Sequence, residues 1–251
     1  YALSNLMSAG IKEVLFISRK QDMQIFKKLF GTGSQLGMRL KYTFQTKPKG
    51  IPDAINVANK FIANQPFVLA LADNLFIGES FQKTLRQVQS IKSGAAVLAV
   101  KTKYPSKSAV IDLGKKGKIK SIIEKPKKPK SNLTIPGLYF YDSESKTVVR
   151  KLKPSKRGEL EIVDVHLDYL EKQQLKVFSL KKDIKWFDTG DAEEMLEASN
   201  YVQRYQKNKK TLMGSIELVA LKNGWISKKR FNLIVSKYPN SQYKKNLQKF
   251  C

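Results

Sequence analysis

Cysteine, histidine and acidic charge are scarce in this chain of 251 residues, and each scarcity removes a class of chemistry. Cys251, the last residue, is the single cysteine, so an intrachain disulfide and a cysteine-based metal cluster are both excluded. A reducing, cytoplasmic location fits that usage. His166 is the single histidine. It lies in a helical pattern among Val163, Val165 and Leu167 and is expected to be structural, which removes histidine-dependent nucleophile and zinc chemistry. No apolar run reaches the roughly 18 residues of a membrane span. The longest, Phe67 to Ala72, stops at Asp73, and a soluble protein is expected. The first residue is Tyr1 rather than Met, and the chain opens directly on the helical pattern Leu3, Leu6, Met7. An upstream segment is therefore expected to be missing, which leaves a targeting peptide open.

Acidic residues number 21 against 47 Lys and Arg, a net charge of +26 with a pI near 10.0. Such a field attracts polyanions in general: nucleic acid, anionic membrane or phosphorylated metabolites. The excess is nearly all lysine, in short clusters such as Lys115-Lys116, Lys127-Lys128, Lys181-Lys182 and Lys209-Lys210. There is no arginine-rich stripe, no interleaved aromatic residue in those clusters and no nucleic-acid-binding signature. The clusters read as solvated surface, with a basic polyanion binder as the alternative.

What the chain does contain is 41% hydrophobic and 10% aromatic residues, enough for a packed core. Short apolar runs at Val14 to Ser18, Leu40 to Phe44, Phe67 to Ala72 and Ala95 to Val100 read as strands. Helical patterns at Gln21 to Phe30, Pro52 to Ile62 and Ser80 to Gln89 separate them, as βαβ crossovers require. An α/β fold with a doubly wound parallel sheet follows, and such sheets place ligands beyond the carboxyl ends of their strands. Short strands at Ala109 to Leu113, Lys118 to Ile123 and Leu138 to Tyr141 predict a mixed-sheet insertion. Helices return at Leu160 to Lys172 and Ala192 to Lys207, around a strand at Leu175 to Leu180. The pattern from Thr211 onward predicts a small helical appendix, dividing the chain into a core at 1–207 and an appendix at 208–251.

Chemistry is sought at the strand ends. The apolar run Leu69-Ala70-Leu71-Ala72 ends in Asp73-Asn74, where a carboxylate can hold Mg²⁺ against substrate phosphates or simply cap the next segment. Trp186-Phe187-Asp188-Thr189-Gly190 is a second strand-like piece ending in an acid, and alone it fits an Asx turn. Two such acids brought together would form the divalent-cation site that phosphoryl and nucleotidyl transfer both need for charge neutralisation. Glu124-Lys125-Pro126 presents an acid and a base at a strand end, terminated by Pro126; an exposed ion pair is the plainer reading. Gln45 to Gly50 follows a strand and opens a helix with Pro52 in its first turn, a weak anion-site signal. Arg157 to Ile162 also opens a helix, and Arg157 there suits a phosphate or a surface ion pair equally.

In order along the chain, these segments together with Pro136-Gly137-Leu138-Tyr139-Phe140-Tyr141-Asp142 resemble the motif series of glucose-1-phosphate thymidylyltransferases, a family of sugar-1-phosphate nucleotidylyltransferases. Lys222-Asn223-Gly224-Trp225-Ile226 resembles that family's C-terminal portion, so the likeness spans nearly the whole chain. The resemblance implies a Rossmann-like nucleotidyltransferase fold with a mixed, mostly parallel central sheet. It also implies Mg²⁺ and transfer of a nucleoside monophosphate from dTTP to glucose 1-phosphate, with release of pyrophosphate. Asp73 and Asp188 would hold the metal, and Gln45 and Gly50 would read the base. Glu124, Gly137 and Tyr139 would surround the sugar, with Asn74, Ile135 and Trp186 as further substrate contacts. Lys125 and Arg157 would grip the phosphate and, with Asp73, carry catalysis. A cytoplasmic homotetramer is the implied assembly. The family begins with a strand and a glycine-rich, triphosphate-clamping loop that has no counterpart here. Negligible turnover and an unpaired, apolar sheet edge are therefore expected. A relative that binds sugar phosphate or partner subunits without catalysis is the alternative. Smaller departures are Pro52-Asp53 beside the base, Ala72 before the metal acid, and Ser108-Ala109 where the family has an aromatic residue and a glycine.

Overall fold

The computed structural model describes residues 1–47 and 49–251, the side chain of residue 116 excepted. The chain opens with α1 (Ala2–Ser8), β1 (Glu13–Arg19), α2 (Met23–Phe30) and β2 (Arg39–Gln45). β1 and β2 pair in parallel as a two-stranded sheet, in register from Glu13 against Arg39 to Arg19 against Gln45. After α3 (Ile51–Val57) and α4 (Asn59–Ile62) come β3 (Phe67–Ala70), β4 (Asn74–Ile77) and α5 (Phe81–Gln89). The middle of the chain supplies β5 (Ala95–Lys101), β6 (Ala109–Leu113), β7 (Ile119–Ile123), β8 (Leu133–Ile135) and β9 (Leu138–Tyr141). Then follow α6 (Ser145–Lys151), α7 (Ile162–Glu171), β10 (Leu175–Ser179), β11 (Lys185–Asp188) and α8 (Ala192–Lys209).

A seven-stranded mixed sheet forms the centre, in the order β3-β9-β5-β8-β6-β7 with β10 also on β5. β5 is its middle because Ala95 to Ala99 are all apolar and all buried, as a strand covered on both faces requires. One layer packs Ile55, Val148, Val149, Val163 and Val165 of α3, α6 and α7 against one face. Phe81, Leu85 and Val88 of α5 cover the other with Ala96 and Leu98.

The balance of parallel and antiparallel pairing differs from the mostly parallel sheet expected. β1 with β2 and β5 with β10 are parallel, whereas the other ladders among the described residues are antiparallel. The reason is β9, which inserts antiparallel between β3 and β5; Leu69 and Val97 both stand opposite Tyr139. Sequence order alone suggested that β3 and β5 adjoin through a crossover. The apolar run Phe67 to Ala72 also outlasts its strand, since β3 ends at Ala70 and a separate strand, β4, starts at Asn74 to join β11.

β1 and β3 each have a ladder on one edge only among the described residues, and both line one largely apolar cavity of about 870 Å³. Leu15, Ile17, Ile55, Phe61 and Phe67 to Ala70 contribute to its walls, with Ala2, Leu3 and Leu6 of α1. The unpaired apolar edge expected from the sequence is thus present as a pair of edges facing a common space.

At the C-terminal end, α9 (Ile216–Lys222), α10 (Lys228–Ser236) and α11 (Gln242–Gln248) form the helical appendix. Ser215, Ser227 and Ser241 cap them, each hydroxyl accepting from a backbone N–H of the first turn. Ala220, Ile226, Phe231, Val235 and Leu247 pack with Leu3 and Met7 of α1 and with Leu36, Met38 and Leu40.

Candidate active site

Asp73 sits in the turn between β3 and β4, and Asp188 closes β11. The antiparallel β4–β11 ladder sets Asp188 opposite Asn74, which brings the two acids to one end of that hairpin-like pair. Thr189 fastens the turn, donating from both its backbone N–H (2.8 Å) and its hydroxyl (2.7 Å) to the Asp73 carbonyl. The carboxylates converge beside Gly190: a Cβ there would stand 3.2 Å from Asp188 Oδ1 and 3.3 Å from Asp73 Oδ2. Burial pushes the Asp188 carboxyl above its usual range, and the Asp73 charge pushes it further in the same direction. Two close carboxylates that repel each other, one of them half-buried and the other exposed, suit a hard divalent cation, which prefers oxygen ligands and often takes only one or two from protein. The Asp188 backbone N–H donates to Glu194 at 3.0 Å, a buried acid of α8 that no motif in the sequence singles out.

Glu124, Lys125 and Arg157 gather on the same side. Lys125 follows β7 with φ of 41°, a left-handed backbone that a non-glycine residue adopts at a cost of about 1–3 kcal/mol. Its ammonium lowers the carboxyl pKa of Glu124, Asp188 and Glu161 alike, so it lies within electrostatic reach of all three. Desolvation nevertheless leaves Glu124 above its ordinary value. Arg157 grips Glu161 with two hydrogen bonds, Nε at 3.1 Å and Nη2 at 2.7 Å, and its Nη2 stands 3.9 Å from Glu124. The helix after Arg157 starts later than expected, at Ile162, so residues 155–160 form a turn instead of its first turn. Ser155 donates to Glu161 within that turn at 2.6 Å.

Tyr139 on β9 is buried, and the charges of Glu124, Asp73 and Asp188 all raise its pKa beyond what burial does. Gly137 begins the same strand's approach. A Cβ on it would fall 2.6 Å from Leu71 Cδ1 and 2.8 Å from Asn74 Nδ2, so only glycine fits. Ile135 is buried in the core at the end of β8. Trp186 donates its indole N–H to Asn74 Oδ1 at 2.7 Å. Asn74 itself is buried, and each of its hydrogen bonds goes to protein.

Gln45 and Gly50 line the cavity shared by β1 and β3, which also touches Leu71, Ala72 and Glu159. Pro48 of this segment lies outside the described residues. Gly50 has φ of 96°, and it approaches Leu160 so closely that a Cβ on it would collide with the Leu160 carbonyl. Leu160 N–H donates to the Lys49 carbonyl at 2.9 Å, tying the two segments together. Asp53, one of the sequence departures, accepts from Gln45 Nε2 at 3.0 Å and so turns toward the glutamine. His166 is buried, as expected of a structural residue; Nδ1 pairs with Tyr141 at 3.0 Å, and burial lowers its pKa to about 3.

A layered α/β fold that brings two strand-end acids together, with a strained lysine and an arginine in their neighbourhood, has the form of a nucleotidyltransferase, and residues 1–205 match the Nucleotidyl transferase family model. Within that class the chain belongs to the glucose-1-phosphate thymidylyltransferase family. It is 38% identical over 243 residues to the curated glucose-1-phosphate thymidylyltransferase of Neisseria meningitidis serogroup A, covering 97% of this chain and 84% of that one. With the enzyme of the same name from Neisseria gonorrhoeae it shares 40% over 229 residues, 91% of this chain and 80% of the other. Among solved structures, a Bacillus anthracis protein described as a glucose-1-phosphate thymidylyltransferase, in complex with a sucrose, superposes with a TM-score of 0.74 at 29% identity. That match covers 85% of this chain and 83% of the other. UDP-glucose pyrophosphorylase complexed with UDP-glucose, at 24% identity and a TM-score of 0.68 over 82% and 86% of the two chains, shares the fold.

Proposed function

We propose that this protein forms dTDP-glucose and pyrophosphate from dTTP and glucose 1-phosphate. The observation that carries the reading is the convergence of Asp73 Oδ2 and Asp188 Oδ1 on one point, beside Lys125 and Glu124. A phosphate oxygen of glucose 1-phosphate attacks the α-phosphorus of dTTP. A new P–O bond forms as the bond to the bridging oxygen of the β-phosphate breaks, and pyrophosphate leaves. Lys125 and Arg157 hold the sugar phosphate in line, so the protein supplies positioning and charge compensation in place of a covalent nucleophile. Asp73 and Asp188 would hold a Mg²⁺, which would neutralise phosphate charge. Gln45 and Gly50 meet the base, and Glu124, Ile135, Gly137, Tyr139 and Trp186 form the sugar side, with Asn74 supporting it from behind through its bonds to Gly137 and Trp186.

The same reading divides the chain into a catalytic core at 1–207 and an appendix at 208–251, and includes a homo-oligomer, a tetramer by family resemblance, in the cytoplasm. No helix among the described residues is long and apolar enough to cross a membrane. The test is pyrophosphate release from dTTP and glucose 1-phosphate, compared with UTP and with CTP, by the protein with the family's glycine-rich loop in place, since the 251 residues alone are expected to turn over negligibly. Release that needs both substrates and falls by roughly 10² or more in Asp188→Asn supports the proposal. Binding of glucose 1-phosphate with no release under any condition would instead support a non-catalytic relative.

A further inference from the structure

We propose that Asn74 is a positioning residue that selects which oxygen of Asp73 faces Asp188 and couples that choice to the sugar-side turn at Gly137. The inference rests on the reading of Asp73 and Asp188 as a divalent-cation pair.

Asn74 is only 6% exposed, yet its amide joins three segments. Its Oδ1 accepts from the Gly137 backbone N–H at 2.7 Å and from Trp186 Nε1 at 2.7 Å, partners 63 and 112 residues away in the chain. Both acceptor sites of the amide oxygen are thereby filled. Its Nδ2 donates to Asp73 Oδ1 at 2.8 Å. An amide held by two donors on one end cannot flip, because a flip would set NH₂ against two N–H groups. The donor aimed at Asp73 is fixed in consequence.

Asp73 needs that fixing. It is exposed, it occupies a turn, and a free carboxylate there would rotate. Thr189 holds only its backbone carbonyl. With Oδ1 engaged by Asn74, the other oxygen, Oδ2, is the one that lies 3.3 Å from the point where Asp188 Oδ1 also converges. The amide therefore orients one metal ligand through a bond that touches neither substrate nor cation. The same oxygen that anchors Gly137 ties the approach of the sugar-side backbone to that orientation. Supporting partners of ligating carboxylates typically change metal affinity about 10–100-fold when removed.

The experiment is Mn²⁺ binding to the 251-residue chain, read by electron paramagnetic resonance of the free ion at a temperature where circular dichroism shows every variant folded. Asn74→Ala is expected to weaken Mn²⁺ binding about tenfold. Val202→Ala, a core truncation behind β4 that leaves the site untouched, controls for lost stability and is expected to bind as the unaltered chain does. Asn74→Ala binding within twofold of the unaltered chain, or Val202→Ala weakening it equally, overturns the inference. If Asn74→Ala does not fold, Asn74→Asp replaces it, since that residue keeps the acceptor for Gly137 and Trp186 but loses the donor to Asp73. Weaker Mn²⁺ binding then supports the inference, and equal or tighter binding overturns it. Asp188→Asn separates the two readings: unchanged Mn²⁺ affinity in that variant sinks the cation pair itself, whereas a loss there with none in Asn74 variants sinks only the role of Asn74.

Discussion

His166 shows how burial turns one side chain into a determinant of stability. Its folded pKa near 3 lies well below the ordinary value of 6.5, so the unfolded chain binds the proton first on acidification. Stability is therefore fully present above about pH 6.5 and declines as pH falls toward 3, by about 1.4 kcal/mol per pH unit within that window. His166→Phe should flatten the profile between about pH 6.5 and 5 in urea denaturation, whatever it costs at neutral pH. Gly50 is the second case. Alanine there must adopt φ of 96° and meet the Leu160 carbonyl, so Gly50→Ala should lose at least about 1–3 kcal/mol by the same measurement and weaken nucleotide binding, read by calorimetry. Both residues could be picked out of the sequence, His166 by its apolar neighbours and Gly50 by its place before a helix. Their partners could not. The bond from Gln45 to Asp53 and the contact of Gly50 with Leu160 depend on side-chain direction and on a segment far away in the chain.

At the scale of elements, strands and helices with strong local patterns follow from composition: the buried run of β5, the amphipathic α5, and the serine-capped α9, α10 and α11. β4, β8 and α6 were not anticipated. β8 is three residues long, and β4 continues an apolar run after a turn made of Ala72 and Asp73, so neither has a period long enough to read. The appendix rests on a polar centre as well as on its apolar core. Glu217 is 3% exposed and accepts from the Tyr238, Tyr243 and Ser215 hydroxyls. Glu217→Ala strips the buried Ser215 hydroxyl and the half-exposed Tyr238 and Tyr243 hydroxyls of their acceptor and should destabilise the appendix by about 1–3 kcal/mol, seen as loss of α9–α11 amide protection in hydrogen exchange. Uniform loss across the whole chain would instead mean that appendix and core unfold together.

On the scale of the whole molecule, the net charge of +26 and the shared cavity of β1 and β3 set the expected behaviour. Attraction to DNA should be nonspecific and collapse by about 10³-fold or more between roughly 50 and 200 mM salt, as counterion release requires. Micromolar affinity surviving at physiological salt would favour the polyanion-binding reading of the lysine clusters. Alternate amides of β1 point away from β2 toward the cavity, and they should exchange faster than their neighbours. The sequence by itself determined the class of fold, the acids and bases that end its strands, and the family those motifs mark, because each depends on local pattern and residue type. Only the tertiary structure decided that β9 separates β3 from β5, that β4 and β11 bring Asp73 to Asp188, and that Asn74 binds them to Gly137. The β3–β9 and β4–β11 ladders join segments more than 60 residues apart, and a one-residue shift in register, invisible in local pattern, would turn their side chains to the opposite face.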